Sequence, residues 1–490
     1  MSGSTSDDSG LGGRAVRGAA STLAGQAIRI VVLLASTVLL ARILSPDDFG
    51  LMSIVLSIVA FGELFRDFGL STASAREIGL TRGQKSNLFW INTGLGVALG
   101  ALFFFAAAPI GALFGEPYLT VAIQITSSVF VLNGLATQYR AELNRQLRFL
   151  ALSAVDTVPA VAGLVLAIIW STFQADFTVL IVQQLATSAG GLVLAVALVR
   201  WMPGLPSRSA SVGRLFRFSA GLFGAQLVAY FTKNIDNLAL GFVWGTGPLG
   251  LYSRAYQILM MPLNQVAAPL TRVMVPVLTR LQDDRDRFQD YLLRSQVVGG
   301  VGLGIFYGLC IGLGGPLVDL VFGSKWAEMV PIFQILAVGG IFRALVQMSF
   351  WIFLAKGFSG AQFRFYLISQ PVIVLLILAG LPWGAVGVAV GHSVGYTLNW
   401  VIALWWCGRA TSTPVAALFR SGILNVLFFA LPAAVLGAAA ALLLPGSSIL
   451  AVVAGVVSFA VYLLIAGALS KHVREVLLVL RGVVRRFRKR

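Results

Sequence analysis

A few charged and amide side chains interrupt the apolar stretches of this chain, and their spacing is helical. Gln226, Tyr230, Lys233 and Asn237 follow one another at intervals of four, three and four residues, which puts them on one stripe of a helix. Asp236 lies a turn from Lys233 and can pair with it. In the next apolar run Arg254 and Gln257, with Asn264 and Gln265, fall roughly on one side. Gln26 and Arg29, three apart, share a face of the first run. Ionisable groups at bilayer depth are costly, so they usually face a cavity and mark function. Arg29, Lys233 and Arg254 meet only Asp236 at similar depth, which leaves a cationic excess. Arginine suits bidentate capture of phosphate oxygens and lysine a point contact, so the pattern fits an anionic, phosphorylated substrate. Taken singly, each residue also fits a plainer role, pairing internally or snorkelling to an interface.

Other polar groups are less directive. Glu63-Leu64-Phe65-Arg66-Asp67 closes an apolar run. Glu63 with Arg66, or Arg66 with Asp67, can form a gate, or the group can simply anchor a helix end at the interface. If an ion is coupled to transport, Asp236 or Glu63 is the candidate for it; Asp156 is more readily explained as a paired carboxylate. Arg343, Gln347, His392 and Asn399 are polar enough to line water and receive no assigned role. Gly391-His392-Ser393-Val394-Gly395 matches the G-x-S-x-G pattern, but that motif needs a strand-turn-helix and here lies inside an apolar helix. No Cys/His metal spacing, P-loop or dinucleotide fingerprint occurs, so no catalytic residue, metal or cofactor is expected and the chain does not read as an enzyme.

The elements that position these residues follow from composition. Hydrophobic residues make up 58% of 490 positions and charged residues 11%, too little charge to cover a soluble protein of this size. The expected fold is an all-α polytopic membrane protein of about fourteen spans, because open backbone cannot cross lipid. The net charge of +17 does not point to nucleic acid, since the basic residues sit in short tracts between apolar runs. With the N-terminus placed in the cytoplasm, the odd connections contain only Arg42 and Lys325, while the even connections and both tails hold most of the 36 Lys and Arg. This asymmetry puts both termini in the cytoplasm. Residues 1–19 read as a disordered, Ser/Gly/Asp-rich tail and not a signal peptide. Residues 471–490 alternate Arg or Lys with apolar residues and read as an amphipathic segment lying on anionic lipids of the inner leaflet.

The chain also repeats itself. At an offset of 200 positions Gln26 meets Gln226, Gly50-Leu51 meets Gly250-Leu251, Ser53 meets Ser253 and Leu70 meets Leu270. Six spans separate the copies, so both halves point the same way, and in such proteins the substrate site lies between the halves near the midplane. The expected domains are a six-helix bundle over 20–205, a second over 206–407, two additional spans over 408–470 and the basic tail.

Ala41-Arg42-Ile43-Leu44-Ser45-Pro46-Asp47-Asp48-Phe49-Gly50-Leu51 resembles the junction of the first two helices in Wzx-type polysaccharide flippases of the MOP superfamily. Glu63-Leu64-Phe65-Arg66-Asp67-Phe68-Gly69-Leu70 is similar to the end of their second helix in the branch that includes the colanic acid exporter. The resemblance implies a V-shaped, MATE-like pair of bundles in the bacterial cytoplasmic membrane. It implies alternating-access export of a polyprenyl-diphosphate-linked oligosaccharide, with polysaccharide polymerase machinery as a candidate partner. It also implies that basic cavity residues hold the diphosphate, a role that falls by location on Arg29, Lys233 and Arg254. The rivals are a cation-coupled drug antiporter of the same superfamily, for which acidic cavity groups are expected, and a flippase for the peptidoglycan lipid precursor.

Overall fold

The computed structural model of the chain describes residues 28, 30–67, 80–207 and 213–488, and all regular structure among them is helical. Among the described residues, eleven segments are long and apolar enough to cross a membrane. After a shorter apolar helix, α1 (Ile30–Ile43), come α2 (Pro46–Asp67), α3 (Arg82–Phe114), α4 (Pro117–Arg145), α5 (Phe149–Ser171) and α6 (Thr178–Val199). The 32-residue α7 (Gly213–Trp244) follows. Then come α8 (Thr246–Leu281), α9 (Arg285–Gly312) and α10 (Met329–Ala355). The single apolar stretch Ser359–Thr411 breaks at Leu381–Trp383 into α11 (Ser359–Ala379) and α12 (Gly384–Thr411). The chain ends with α13 (Ala416–Leu443), α14 (Ser448–Leu469) and the amphipathic α15 (Lys471–Arg488).

Packing divides the chain into two compact units, Met1–Gly247 and Pro248–Arg490. In the first, α2 packs on α7, α3 on α4 and α5 on α6. In the second, α10 and α11 pack on α12, and α9 packs on α13. Lipid tails are as apolar as leucine, so the hydrophobic effect does little to join such helices. Close approach through small residues does more.

The junction before α2 shows how a short sequence fixes a helix start. Pro46 opens α2 with its φ already set, and Ser45 and Asp48 cap it reciprocally. The Ser45 amide donates to Asp48 Oδ2 at 2.9 Å, and the Asp48 amide donates to Ser45 Oγ at 3.2 Å. Asp47 is thereby presented to Thr246, whose hydroxyl donates to Asp47 Oδ1 at 2.9 Å. Gly50 completes the junction, because a Cβ there would stand 1.8 Å from the Thr246 carbonyl oxygen. That neighbour is backbone and cannot rotate away. Gly50→Ala is therefore expected to cost about 1–3 kcal/mol by overpacking, read as a lowered midpoint of thermal unfolding in detergent. An unchanged midpoint would mean that the two helix starts separate without cost.

Candidate anion-binding site

The structure distributes the residues singled out above over both units. Gln26 and Arg29 lie outside the described residues. In the first unit α7 carries Gln226, half-buried, then Tyr230, buried, Lys233, exposed, Asp236, buried, and Asn237, half-buried. Tyr230 touches α2. Its hydroxyl donates to the Ser57 carbonyl at 2.6 Å and its ring meets Phe61 at 5.4 Å. Asp236 Oδ1 accepts from the Asn237 amide at 2.8 Å. Arg254 and Gln257 belong to α8 in the second unit, both half-buried.

Glu63 and Arg66 form one network inside the first unit. Arg66 is buried and pairs with Glu63 at 2.6 Å. It also donates to the Thr137 hydroxyl at 2.6 Å, while Asn133 donates to Glu63 at 3.1 Å. An i,i+3 pair at the end of α2 is thus fastened to α4 by two further hydrogen bonds. Asp67 is the last residue of α2. Asp156 on α5 is paired with Arg140 on α4.

A cluster of polar and aromatic side chains in the second unit surrounds Arg343, near the middle of α10. Two adjacent glycines bring it there. At Gly339 a Cβ would stand 2.7 Å from the Ser393 hydroxyl and 2.9 Å from Ser393 Cα, so α10 and α12 nearly touch. Ser393 fixes the approach by donating to the Ile335 carbonyl at 2.6 Å. One turn further along each helix, Arg343 and Tyr396 meet, with the guanidinium 4.6 Å from the ring centroid. At Gly340 a Cβ would lie 2.5 Å from the Tyr307 ring, so glycine admits that fully buried ring from α9. The Tyr307 hydroxyl donates to the Leu259 carbonyl of α8 at 2.8 Å. Held in this way, α8 presents Tyr256, whose hydroxyl accepts from Arg343 Nη1 at 2.9 Å.

The result is a half-buried guanidinium between the rings of two tyrosines, hydrogen-bonded to the hydroxyl of one of them, Tyr256. His392 closes one side, its ring 4.6 Å from Tyr396 and 5.4 Å from Tyr256. The imidazole is buried, and neither ring nitrogen has a hydrogen-bond partner among the described residues. Among the described residues no carboxylate forms an ion pair with Arg343. A cation held by aromatic faces, with no carboxylate paired to it, retains most of its capacity for an anion. Arg343 and His392 stand out in the sequence as polar interruptions. The two tyrosines do not, although Tyr252/Tyr256 and His392/Tyr396 are both spaced at four residues, which places each pair on one helical face.

The model of the polysaccharide biosynthesis protein family matches residues 39–331, more than half of the 490. The chain belongs to that family. The capped junction at 41–51 and the Glu63–Arg66 network lie inside the match. A curated relative, the lipopolysaccharide biosynthesis protein WzxC of Escherichia coli strain K12, is 27% identical over 368 residues, covering 74% of this chain and 75% of that protein. Two solved structures share the fold. The inward-closed lipid II flippase MurJ aligns with a TM-score of 0.65 at 15% identity, covering 91% of this chain and 98% of its own. An inward-facing multidrug resistance MATE family transporter of the MOP superfamily aligns with a TM-score of 0.58 at 15% identity, covering 80% and 96%. The chain is thus a multi-pass membrane protein of the polysaccharide biosynthesis protein family, with an all-helical fold that it shares with these two transporters.

Proposed function

We propose that this family member is a flippase that moves a polyprenyl-diphosphate-linked oligosaccharide across the bacterial cytoplasmic membrane by alternating access. One observation carries the reading from fold to cargo: the guanidinium of Arg343, midway along an apolar helix, is boxed by tyrosines and has no carboxylate in an ion pair with it among the described residues. A diphosphate offers the paired oxygens that a guanidinium binds in bidentate fashion, and tyrosine faces and hydroxyls suit a sugar beside it. A drug-cation antiporter calls for acidic groups in the corresponding place, and none is paired with Arg343. A peptidoglycan-precursor flippase carries a similar diphosphate and is separated from this reading by complementation of a strain depleted of that activity.

The same reading includes Arg29, Lys233 and Arg254 as diphosphate contacts, with Gln26, Gln226, Tyr230, Asn237 and Gln257 along the path. Asp236 and Glu63 are the candidate ion-coupling groups, and Arg66 and Asp67 complete the candidate gate. The domain plan of two six-helix bundles with two added spans, both termini in the cytoplasm, contact of the tail with anionic lipid and cooperation with polymerase machinery belong to it as well. An anion leaving a negative cytoplasm moves downhill by about 2.3 kcal/mol per charge per 100 mV, so export of a diphosphate needs no coupled ion on energetic grounds. Lys233→Glu and Arg254→Glu are expected to abolish export while the protein accumulates in the membrane at wild-type level, measured as surface polysaccharide against membrane-fraction protein. Wild-type export by both variants would remove Lys233 and Arg254 from the cargo path.

A further inference from the structure

Outside the Arg343 site, the second unit contains a groove of about 990 Å³, within the range of small-ligand sites. Its walls are the start of α9, the start of α13, the end of α8 and the tail helix α15. The floor is apolar, with Val297 and Val298 from α9, Leu424 from α13, and Val476 and Val479 from α15. Both α9 and α13 carry a π-helical turn beside it, Val297–Val301 and Val426–Ala430. Such turns interrupt the regular backbone ladder and occur often at functional sites. Val297, Val301, Phe429, Val473 and Val476 pack together under the groove, so the floor is a built surface.

The rim is polar and unevenly satisfied. Arg294 is paired with Asp290 at 3.0 Å and Arg287 with Asp284 at 3.3 Å. Arg420 on α13 is exposed and has no ion pair among the described residues. His472 on α15 also lines the groove, and its Nε2 is buried without a hydrogen-bond partner among the described residues. Burial holds the imidazole pKa below its usual range, and of the nearby charges Glu475 opposes that shift while Arg420 adds to it. An uncompensated cation and an unpartnered imidazole nitrogen therefore converge over apolar walls, an arrangement that fits a phosphate oxygen with a hydrocarbon attached. The position agrees. α15 begins directly after the apolar α14, is amphipathic, and leads into Arg485, Arg486, Arg488, Lys489 and Arg490. Such a helix lies in the interface, and its basic end raises the local concentration of anionic lipid.

We propose that this groove is a resident site for one anionic glycerophospholipid of the leaflet on the side of the tail, with its phosphate between Arg420 and His472 and an acyl chain along the valine floor. The lipid bridges α9, α13 and α15 and so fixes the tail helix to the unit. The inference rests on the proposed contact of the tail with anionic lipid, but it is separate from the cargo site, so its failure leaves the transport reading untouched.

The test is lipid retention by the full-length protein in detergent, followed by native mass spectrometry with phosphatidylglycerol and phosphatidylcholine. Wild-type protein is expected to retain one phosphatidylglycerol with about tenfold preference. Arg420→Gln combined with His472→Asn is expected to bring the preference to parity. Arg364→Gln, which removes an exposed cation at the start of α11, is expected to leave it unchanged. Retention should also strengthen as pH falls below neutrality, because a phosphate favours the charged imidazole. Asp290, Tyr291, Arg287 and Arg294 of α9, Arg420 of α13 and Glu475 of α15 also face the groove, so the dependence must vanish in His472→Asn. Equal retention of the two lipids, or an unchanged preference in the double variant, would overturn the proposal. So would equal loss in Arg364→Gln, displacement by inorganic phosphate alone, or one-for-one displacement by polyprenyl diphosphate, which would assign the groove to the cargo.

Discussion

Arg343→Glu is expected to insert and accumulate normally and to reduce polysaccharide export at least a hundredfold. The expectation rests on geometry within the second unit. The guanidinium lies 2.9 Å from the Tyr256 hydroxyl and over the Tyr396 ring, with no carboxylate paired to it among the described residues. Two unit charges 4 Å apart interact by about 4 kcal/mol at an effective dielectric of 20. Reversing the sign turns that attraction for a diphosphate into repulsion, far more than the 2.7 kcal/mol or so that a hundredfold change requires. Two milder variants separate charge from fold. Arg343→Gln keeps a donor for Tyr256 but removes the charge, and should also lose export. Arg343→Lys keeps the charge without the planar fork, and should retain about a tenth of wild-type export. If Arg343→Gln exports normally, the guanidinium is a packing group and does not contact cargo.

The second large effect concerns stability. Arg66→Ala removes one partner from a buried network in which Arg66 holds Glu63 and Thr137, and Asn133 holds Glu63. Breaking a buried pair by removing one partner typically costs about 3–5 kcal/mol, because the remaining charge loses its compensation. The unfolding midpoint of the purified protein should fall by on the order of 10 °C. The double substitution Glu63→Gln with Arg66→Met leaves no orphaned charge and should recover most of the loss. The gate proposed for Arg66 and Asp67 adds a second expectation: export falls in the double variant although its midpoint recovers. The network fastens the end of α2 to α4 within one unit.

The helical character of the chain is legible in its sequence because it is local. Composition alone requires spans, and the residue types Ser45, Pro46 and Asp48 by themselves spell a capped helix start. The role of Gly50 is not legible there, since it depends on a carbonyl 196 positions away at Thr246. The α7 stripe is a real periodicity, but period does not say which neighbour a face meets. Tyr230 meets the Ser57 carbonyl, a partner in another helix. The Arg343 site is hidden in the sequence for the same reason. It needs Tyr256 from α8, Tyr307 from α9 and Tyr396 from α12 brought together, and what brings them together is the pair Gly339 and Gly340, whose meaning lies in the side chains they make room for. The tail helix is legible as amphipathic, but the groove it closes with α9 and α13 is not, because its walls come from segments far apart in sequence.

The central claim is that a cation held by tyrosines in the second unit receives the phosphorylated head group of a lipid-linked glycan. The most direct measurement is translocation of polyprenyl-diphosphate oligosaccharide in proteoliposomes containing only this protein. It is scored as glycan becoming accessible to a glycosidase confined to one side, for wild type and Arg343→Gln at matched incorporation. Transfer by wild type that falls to the protein-free rate in Arg343→Gln is the expected result. Equal transfer by the two proteins would contradict the claim.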